Sequence, residues 1–339
     1  MKSVNVAVAG ATGAVGEVLR EMLAERRFPV DRISLLASSR SKGKSFEFDD
    51  KQIDVEVLDE FDFSDTQIAF FSAGGEVSAA HAPRAAEAGT IVVDNTSKFR
   101  QESHIPLIVP EVNRRRLEDG LDSRIIANPN CSTIQMVVAL KPIYDAVGID
   151  RINVSTYQAV SGAGASGVHE LADQTSSILN GNGAEVEVHA AQIAFNVVPQ
   201  IGDFHENGFT TEEWKMVLET QKIFEDESIK VNPTCVRVPV FYGHSEAVHI
   251  ETREPISVDF ARELLKTAEG VELIDEQKKG GYPTAIDHSA GTDPVFVGRL
   301  RKDPSHPRGL DMWVVSDNVR KGAALNSIQI AEELLPLLN

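Results

Sequence analysis

The chain has only two cysteines among 339 residues, Cys131 and Cys235. Two thiols cannot build a disulfide framework, and no CxxC pair or Cys/His ligand cluster accompanies them. This excludes a disulfide-stapled secreted module and a structural zinc domain, and it fits a reducing cytosol. With HExxH absent too, no metal is expected. No apolar run approaches membrane-spanning length. Met1-Lys2-Ser3-Val4-Asn5 leads straight into a strand-like segment, so no signal peptide is expected and the cytoplasm is the expected location. Positive charge is scarce: 33 Lys and Arg against 51 Asp and Glu give a net charge of −18. That balance argues against nucleic acid as a partner, because phosphate backbones need a basic surface. An anionic substrate must be gathered by individually placed cations. Internal repeats and low-complexity tracts are also missing.

What remains is an ordinary globular composition, with 42% hydrophobic and 25% charged residues, in a chain long enough for two domains. Val4–Ala9 is strand-like, Gly10-Ala11-Thr12-Gly13-Ala14-Val15-Gly16 is a glycine turn, and Val15, Leu19, Met22 and Leu23 then recur at helical spacing. Arg32–Ala37, Ile68–Ala73 and Ile91–Asp94 are short, nearly continuous apolar strands of the kind found in a parallel sheet covered on both faces. An Ala-rich helical segment, 79–88, separates the last two. This alternation predicts a Rossmann-like, doubly wound α/β domain over residues 1–127. Beyond it, strands at Arg151–Ala159, Val236–Phe241, Ala247–Glu251 and Met312–Val315 mix with helices at Thr210–Phe224 and Val258–Thr267. These predict an α+β second domain over 128–317. A terminal helix, 318–339, is expected to return to the first domain.

Gly10, Gly13 and Gly16 form a GxxGxxG variant that follows a strand and opens a helix. Such a turn lets the backbone approach a pyrophosphate, and the helix N-terminus favours the anion. NAD enzymes usually carry an acid at the end of the second strand to bind the ribose hydroxyls. This chain has Ser38-Ser39-Arg40-Ser41-Lys42 there, a cation among hydroxyls. That composition suits a 2′-phosphate and predicts NADP as the cofactor.

The candidate nucleophile is Cys131, in Asn128-Pro129-Asn130-Cys131-Ser132-Thr133. A polar turn ends an apolar run, and a helix is expected from Ser132. A thiol at a helix N-terminus gains thiolate character from the unpaired N–H groups and the macrodipole. Cys235, in a strand-like run, reads as a packed thiol. Gln158, at a strand end in Tyr157-Gln158-Ala159-Val160-Ser161-Gly162-Ala163-Gly164, can orient a substrate through its amide, and Ser161 and Gly162 can line a cofactor. Arg100, Lys215 and Arg237 are candidate anion binders. Arg237 stands out because it lies in an apolar strand, where an unpaired charge is costly. His244, in Gly243-His244-Ser245, is a candidate acid or base near neutral pH.

Taken together, these segments resemble the aspartate-semialdehyde dehydrogenase family over nearly the whole chain, from the glycine turn to Ser316-Asp317-Asn318. The resemblance implies Cys131 as nucleophile and His244 as acid/base. It places Gln158, Glu212 and Arg237 around the amino acid, with Arg237 on the carboxylate and Glu212, or its neighbour Glu213, on the ammonium. It assigns Arg100 and Lys215 to phosphate, and Gly10, Thr12, Gly13, Ala14, Val15, Arg40, Ser41, Ser161, Gly162 and Asn318 to NADP. It further implies a homodimer and NADP-dependent reductive dephosphorylation of 4-phospho-L-aspartate to aspartate 4-semialdehyde through a cysteine thioester, in lysine, threonine and methionine biosynthesis. The competing readings are an N-acetyl-γ-glutamyl-phosphate reductase, a glyceraldehyde-3-phosphate dehydrogenase and a non-catalytic Rossmann paralogue. An acid beside the amine disfavours the first. The glycine turn and the missing acid after the second strand disfavour the second. An intact set of Cys131, Gln158, Arg237 and His244 disfavours the third.

Overall fold

The computed structural model describes residues 3–338. Met1, Lys2 and Asn339, which the sequence reading assigned to the first domain, lie outside the described residues. The chain divides into two compact units. One runs through Pro129 and resumes at Ala323; the other spans Asn130–Gly322. The corresponding divisions read from sequence were 127/128 and 317/318.

The first unit is built on a seven-stranded sheet of order β3-β4-β2-β1-β5-β6-β7. Its strands are β1 (Val4–Ala9), β2 (Val30–Ala37), β3 (Ser45–Phe48), β4 (Lys51–Val57), β5 (Ile68–Phe71), β6 (Ile91–Asp94) and β7 (Ile125–Ala127). All pairs are parallel except β3 with β4. Helices α1 (Ala14–Glu25), α2 (Gly75–Glu87), the short α3 (Pro110–Asn113) and α4 (Asp119–Ser123), and the late α9 (Leu325–Leu334) complete the unit. Apolar residues of β1, β2, β5 and β6 form its core with Leu19, Met22 and Leu23 of α1 and Leu325, Ile328 and Leu334 of α9. The β3–β4 hairpin was missed in the sequence. Its turn is Asp49-Asp50, both at positive φ of 50° and 60°. Asp adopts this left-handed conformation less readily than the Asn-Gly pair that usually marks such a turn.

The second unit carries a six-stranded mixed sheet of order β11-β12-β13-β10-β8-β9. These strands are β8 (Ile149–Gln158), β9 (Lys230–Arg237), β10 (His244–Thr252), β11 (Val271–Leu273), β12 (Val295–Lys302) and β13 (Gly309–Ser316). Its helices are α5 (Cys131–Val147), α6 (Gly164–Leu179), α7 (Thr211–Phe224) and α8 (Val258–Lys266). The strand expected over Val236–Phe241 instead runs Lys230–Arg237. Pro239 cannot donate to a ladder, and past it Val240 and Phe241 accept from the N–H groups of Val160 and Ser161. Pro233 is tolerated inside β9 because β9 is an edge strand. Among the described residues, no helix is long and apolar enough to cross a membrane.

Candidate active site

The second unit brings five sequence-selected side chains together, three by strand register and two from helices packed on the sheet. Arg237 of β9 stands opposite Gln158 of β8. One step before Ser245↔Tyr157 in the antiparallel β10/β8 pair comes His244. Because side chains alternate along a strand, Gln158, Arg237 and His244 form one row on one face of the sheet. Helices α5 and α7 pack on that sheet, and they supply Cys131 and Glu212.

Cys131 is the first residue of α5, one position earlier than read from sequence, and is partly buried. Asn130 is the N-cap, yet its side chain does not cap the helix. Its amide nitrogen instead donates to Glu212 Oε1 at 2.8 Å and Ser132 Oγ at 2.9 Å, while its backbone N–H donates to Glu219 at 2.7 Å. The Cys131 thiol points at Asn130 Oδ1, 3.6 Å away. The turn before the nucleophile is thus held by two buried carboxylates.

Glu212 and Glu213 have separate duties. Both oxygens of Glu213 are spent on backbone: Oε2 accepts from Thr210 N–H in a capping box, and Oε1 accepts from Cys235 N–H. Glu212 Oε1 accepts from Asn130 and from the Gln158 amide at 3.2 Å, and its Oε2 meets Lys215 Nζ at 3.2 Å. Burial works to raise the Glu212 pKa, but Lys215, Asn130 and Arg237 outweigh it and hold the carboxyl at about 2. A carboxylate with this much positive company stays charged at neutral pH.

Arg237 is buried, and its Nη1 donates to the Ala159 carbonyl at 2.7 Å. Burial pulls its pKa down, while Glu212 and Cys131 pull it back up. A Cβ on Gly162 would come within 2.6 Å of Arg237 Nη1 and 3.3 Å of His244 Cε1. Only a residue without a side chain permits that approach.

His244 is fully buried. Its Nδ1 accepts the Ala159 backbone N–H at 3.0 Å. Nδ1 therefore bears no proton, and the neutral ring carries its proton on Nε2. Nε2 is buried and has no hydrogen-bond partner among the described residues. Burial and the nearby Arg237 push the ring down to about 3, against a smaller opposing pull from Glu212. His244 is a neutral donor aimed into the site.

Asn318 holds the neighbouring loops in place. Its amide pairs with Ser161 Oγ at 3.0–3.1 Å, and its oxygen accepts from Gly243 N–H at 2.9 Å. Lys215, assigned to phosphate by resemblance, is engaged with Glu212 here.

The first unit holds the remaining candidates. Gly10 has φ of +90°, and a Cβ there would sit 2.9 Å from the backbone of Ser72 and Ala73. A Cβ on Gly16 would lie 2.3 Å from Gly10 O. These two glycines are required by the turn itself. Gly13 is the N-cap of α1 and, with Thr12, forms an exposed tip, while Ala14 and Val15 are half-buried in the first helical turn. Such a tip leaves backbone accessible to a phosphate. Arg40 is exposed just after β2, beside buried Ser41, with no acid in that segment. Arg100 is buried and donates to Asn95 O at 3.1 Å.

Sequence reasoning missed Asn130 and Glu219 as supports of the Cys131 turn. It also missed Gly322, whose Cβ, if present, would lie 2.6 Å from Cys131 Cβ. Only the neighbouring cysteine motif hinted at Asn130. The other two are far from it in sequence, and no local signal marks them.

Residues 5–120 match the family described as semialdehyde dehydrogenase, NAD binding domain, and residues 140–321 match semialdehyde dehydrogenase, dimerisation domain. The chain is 59% identical to aspartate-semialdehyde dehydrogenase 2 of Vibrio cholerae over 98% of this chain and 97% of that protein. It is 48% identical to aspartate-semialdehyde dehydrogenase of Bacillus subtilis over 99% of each. Among solved structures, aspartate semialdehyde dehydrogenase II from Vibrio cholerae complexed with ASA superposes with a TM-score of 0.97 at 58% identity, covering 99% of both chains. A Candida albicans aspartate semialdehyde dehydrogenase with NADP matches at TM-score 0.76 and 26% identity, covering 98% of both.

Proposed function

The chain belongs to the aspartate-semialdehyde dehydrogenase family, and on that premise we propose how its own residues carry out the reaction. The enzyme is a nicotinamide-dependent oxidoreductase that interconverts 4-phospho-L-aspartate and aspartate 4-semialdehyde, a step in lysine, threonine and methionine biosynthesis. The observation that carries the residue assignments is the shared row of Gln158, Arg237 and His244 with Cys131 and Glu212 set against it.

Arg237 holds the substrate α-carboxylate. One of its nitrogens is fixed on Ala159, which pre-orients the fork for a bidentate grip. Glu212, kept ionised by its surroundings, holds the α-ammonium. An N-acetylated substrate would bring no positive charge to this buried carboxylate, and that favours aspartate over an acetylated glutamyl analogue. The Cys131 thiolate, favoured by its helix N-terminus, attacks the acyl carbon. The C–O bond to phosphate breaks, and phosphate leaves with its electron pair. When bound, the reduced nicotinamide supplies a hydride to the resulting thioester carbon. His244 Nε2–H donates a hydrogen bond to the oxyanion that develops. Collapse of that oxyanion expels the Cys131 thiolate and releases the aldehyde.

We further propose that NADP is the preferred cofactor. The glycine turn fits a dinucleotide phosphate, and Arg40 with Ser41 fits the 2′-phosphate. Gly10, Thr12, Gly13, Ala14 and Val15 would hold the dinucleotide in the first unit; Ser161, Gly162 and Asn318 are the cofactor residues we assign in the second. Arg100 and Lys215 would bind phosphate. A homodimer in the cytoplasm is the expected working form, supported by the match to a dimerisation domain. The test is NADPH formation from aspartate 4-semialdehyde, NADP⁺ and phosphate, run beside N-acetylglutamate semialdehyde and beside NAD⁺. Aspartate semialdehyde and NADP⁺ should give the highest kcat/KM, and Arg40→Ala should narrow the NADP preference. Higher efficiency with the acetylated aldehyde would overturn the substrate assignment. A preference for NAD⁺, or a full NADP preference in Arg40→Ala, would overturn the cofactor assignment.

A further inference from the structure

Directly behind the row of Gln158, Arg237 and His244 lies a second row that the mechanism does not use. Cys235 of β9 and Glu246 of β10 both stand opposite Thr156 of β8. Glu246 is fully buried, and among the described residues neither of its carboxyl oxygens has a hydrogen-bond partner in good geometry. Gln135 of α5 is equally buried, with both amide atoms in the same condition. An unsatisfied buried amide or carboxyl is costly in a dry interior. Two such groups side by side are therefore unexpected unless they satisfy each other.

They are neighbours. Helix α5, which carries Gln135, packs on β10, and among the described residues the Gln135 amide is the polar group that opposes the burial pushing the Glu246 carboxyl well above its usual range. Thr156 stands opposite it on β8, Cys235 lies one strand further on β9 on the same face of the sheet, and no described cation offsets its burial. A protonated carboxyl can donate its O–H to the Gln135 oxygen while its carbonyl accepts from the Gln135 N–H₂. That two-point pairing satisfies all four polar atoms at once.

The placement of the two residues gives the pairing a use. Gln135 lies four residues after Cys131, on the same face of α5. Glu246 lies two residues after His244, on the same face of β10. We propose that Gln135 and Glu246 form a neutral amide–acid couple that ties α5 to β10 and so sets the spacing between the nucleophile and the proton donor. Glu246 and Gln135 are positioning residues; neither touches the substrate. The inference rests on the assignment of Cys131 and His244 as the reacting groups.

The test compares purified full-length Glu246→Gln, Glu246→Leu and Gln135→Leu, with Cys131→Ser as a control for the site itself. Breaking the couple should lower kcat by about 10-fold or more while KM for aldehyde, phosphate and NADP⁺ moves by no more than about twofold. Alkylation of Cys131 by iodoacetamide should continue near the wild-type rate in all three, because the thiol is still present and only its alignment has changed. Glu246→Gln keeps a two-point pairing and should restore kcat to near wild type. A buried acid that keeps its proton lets folding stability fall as pH rises, since the unfolded chain releases that proton near its ordinary pKa. Glu246→Gln should therefore gain in melting temperature relative to wild type as pH rises above the ordinary carboxylate range. If Leu prevents folding, Glu246→Asp shortens the acid and should show the same fall in kcat. Wild-type kcat in Glu246→Leu, or Glu246→Gln as impaired as Glu246→Leu, overturns the couple, as does a melting-temperature gap that does not change with pH. An active Cys131→Ser would instead overturn the site assignment beneath it.

Discussion

The backbone N–H of Ala159 donates to His244 Nδ1 at 3.0 Å, and this one bond decides which nitrogen of the ring can give a proton. With Nδ1 occupied, Nε2 carries the hydrogen of the neutral ring and faces the site as a donor. The ring's ordinary pKa of 6.5 is pushed down to about 3, chiefly by burial.

A pH dependence of stability follows. Between pH 6.5 and about 3 the unfolded chain binds a proton at His244 that the folded chain refuses. Stability must therefore fall as pH drops through that window, by about 1.4 kcal/mol per pH unit at most. At about pH 5 the contribution is about 2 kcal/mol. Urea melts should show that His244→Gln, which cannot titrate, loses less stability than wild type between about pH 7 and about pH 5. Equal losses in the two proteins would mean that the folded ring accepts the proton.

Glu212 and Glu213 are adjacent, yet their substitutions should separate cleanly. Glu212→Gln removes the charge proposed to hold the ammonium and should cost about 100-fold or more in kcat/KM, equivalent to about 2.7 kcal/mol at the transition state. Glu213→Gln can keep only one of two backbone acceptor bonds. It should lose about 1 kcal/mol of stability with kcat/KM close to wild type. Kinetics and denaturant melts on both variants check this. The reverse pattern would move the amine contact to Glu213.

Gly322 leaves no room for a side chain against Cys131, since a Cβ would lie 2.6 Å from the Cys131 Cβ. Gly322→Ala should displace the thiol and lower kcat by about 10-fold or more, with slower alkylation of Cys131 by iodoacetamide. Wild-type rates in both measurements would show that the turn relaxes freely.

Much of this site can be read from the chain alone, for local reasons. The Cys131 turn, the glycine turn after β1 and the alternation of β and α are contiguous signals with known chemistry. The row that joins Arg237, Gln158 and His244 is not local. It depends on β8 lying between β9 and β10, and residue spacing along one strand says nothing about its neighbours. Glu213 looked equivalent to Glu212 because both are acids in the first turn of a helix; only the backbone partners distinguish them. Nothing local singles out Gln135 or Glu246, since burial of a polar group leaves no mark on a sequence. The strand Val295–Lys302 was also passed over. Its register slips between Gly298 and Arg301, and Arg299 sits at φ of +54°, so its pattern does not alternate regularly.

The cations proposed for phosphate should differ in their effects. Lys215 also holds Glu212 at 3.2 Å, so Lys215→Ala should raise the KM of both phosphate and aldehyde. Arg100→Ala should raise the KM of phosphate alone. Initial rates at varied phosphate and aldehyde check both. Unchanged phosphate dependence in the two variants would remove them from the phosphate site.

The covalent role of Cys131 is tested most directly by trapping. Wild-type enzyme is mixed with aspartate 4-semialdehyde and NADP⁺ without phosphate, quenched in acid and analysed by peptide mass spectrometry. A burst of about one NADPH per site should accompany an aspartyl thioester on the peptide carrying Cys131. Cys235 should remain unmodified, and added phosphate should discharge the adduct. A full burst with Cys131 unmodified, or wild-type turnover by Cys131→Ala, would contradict the thioester mechanism.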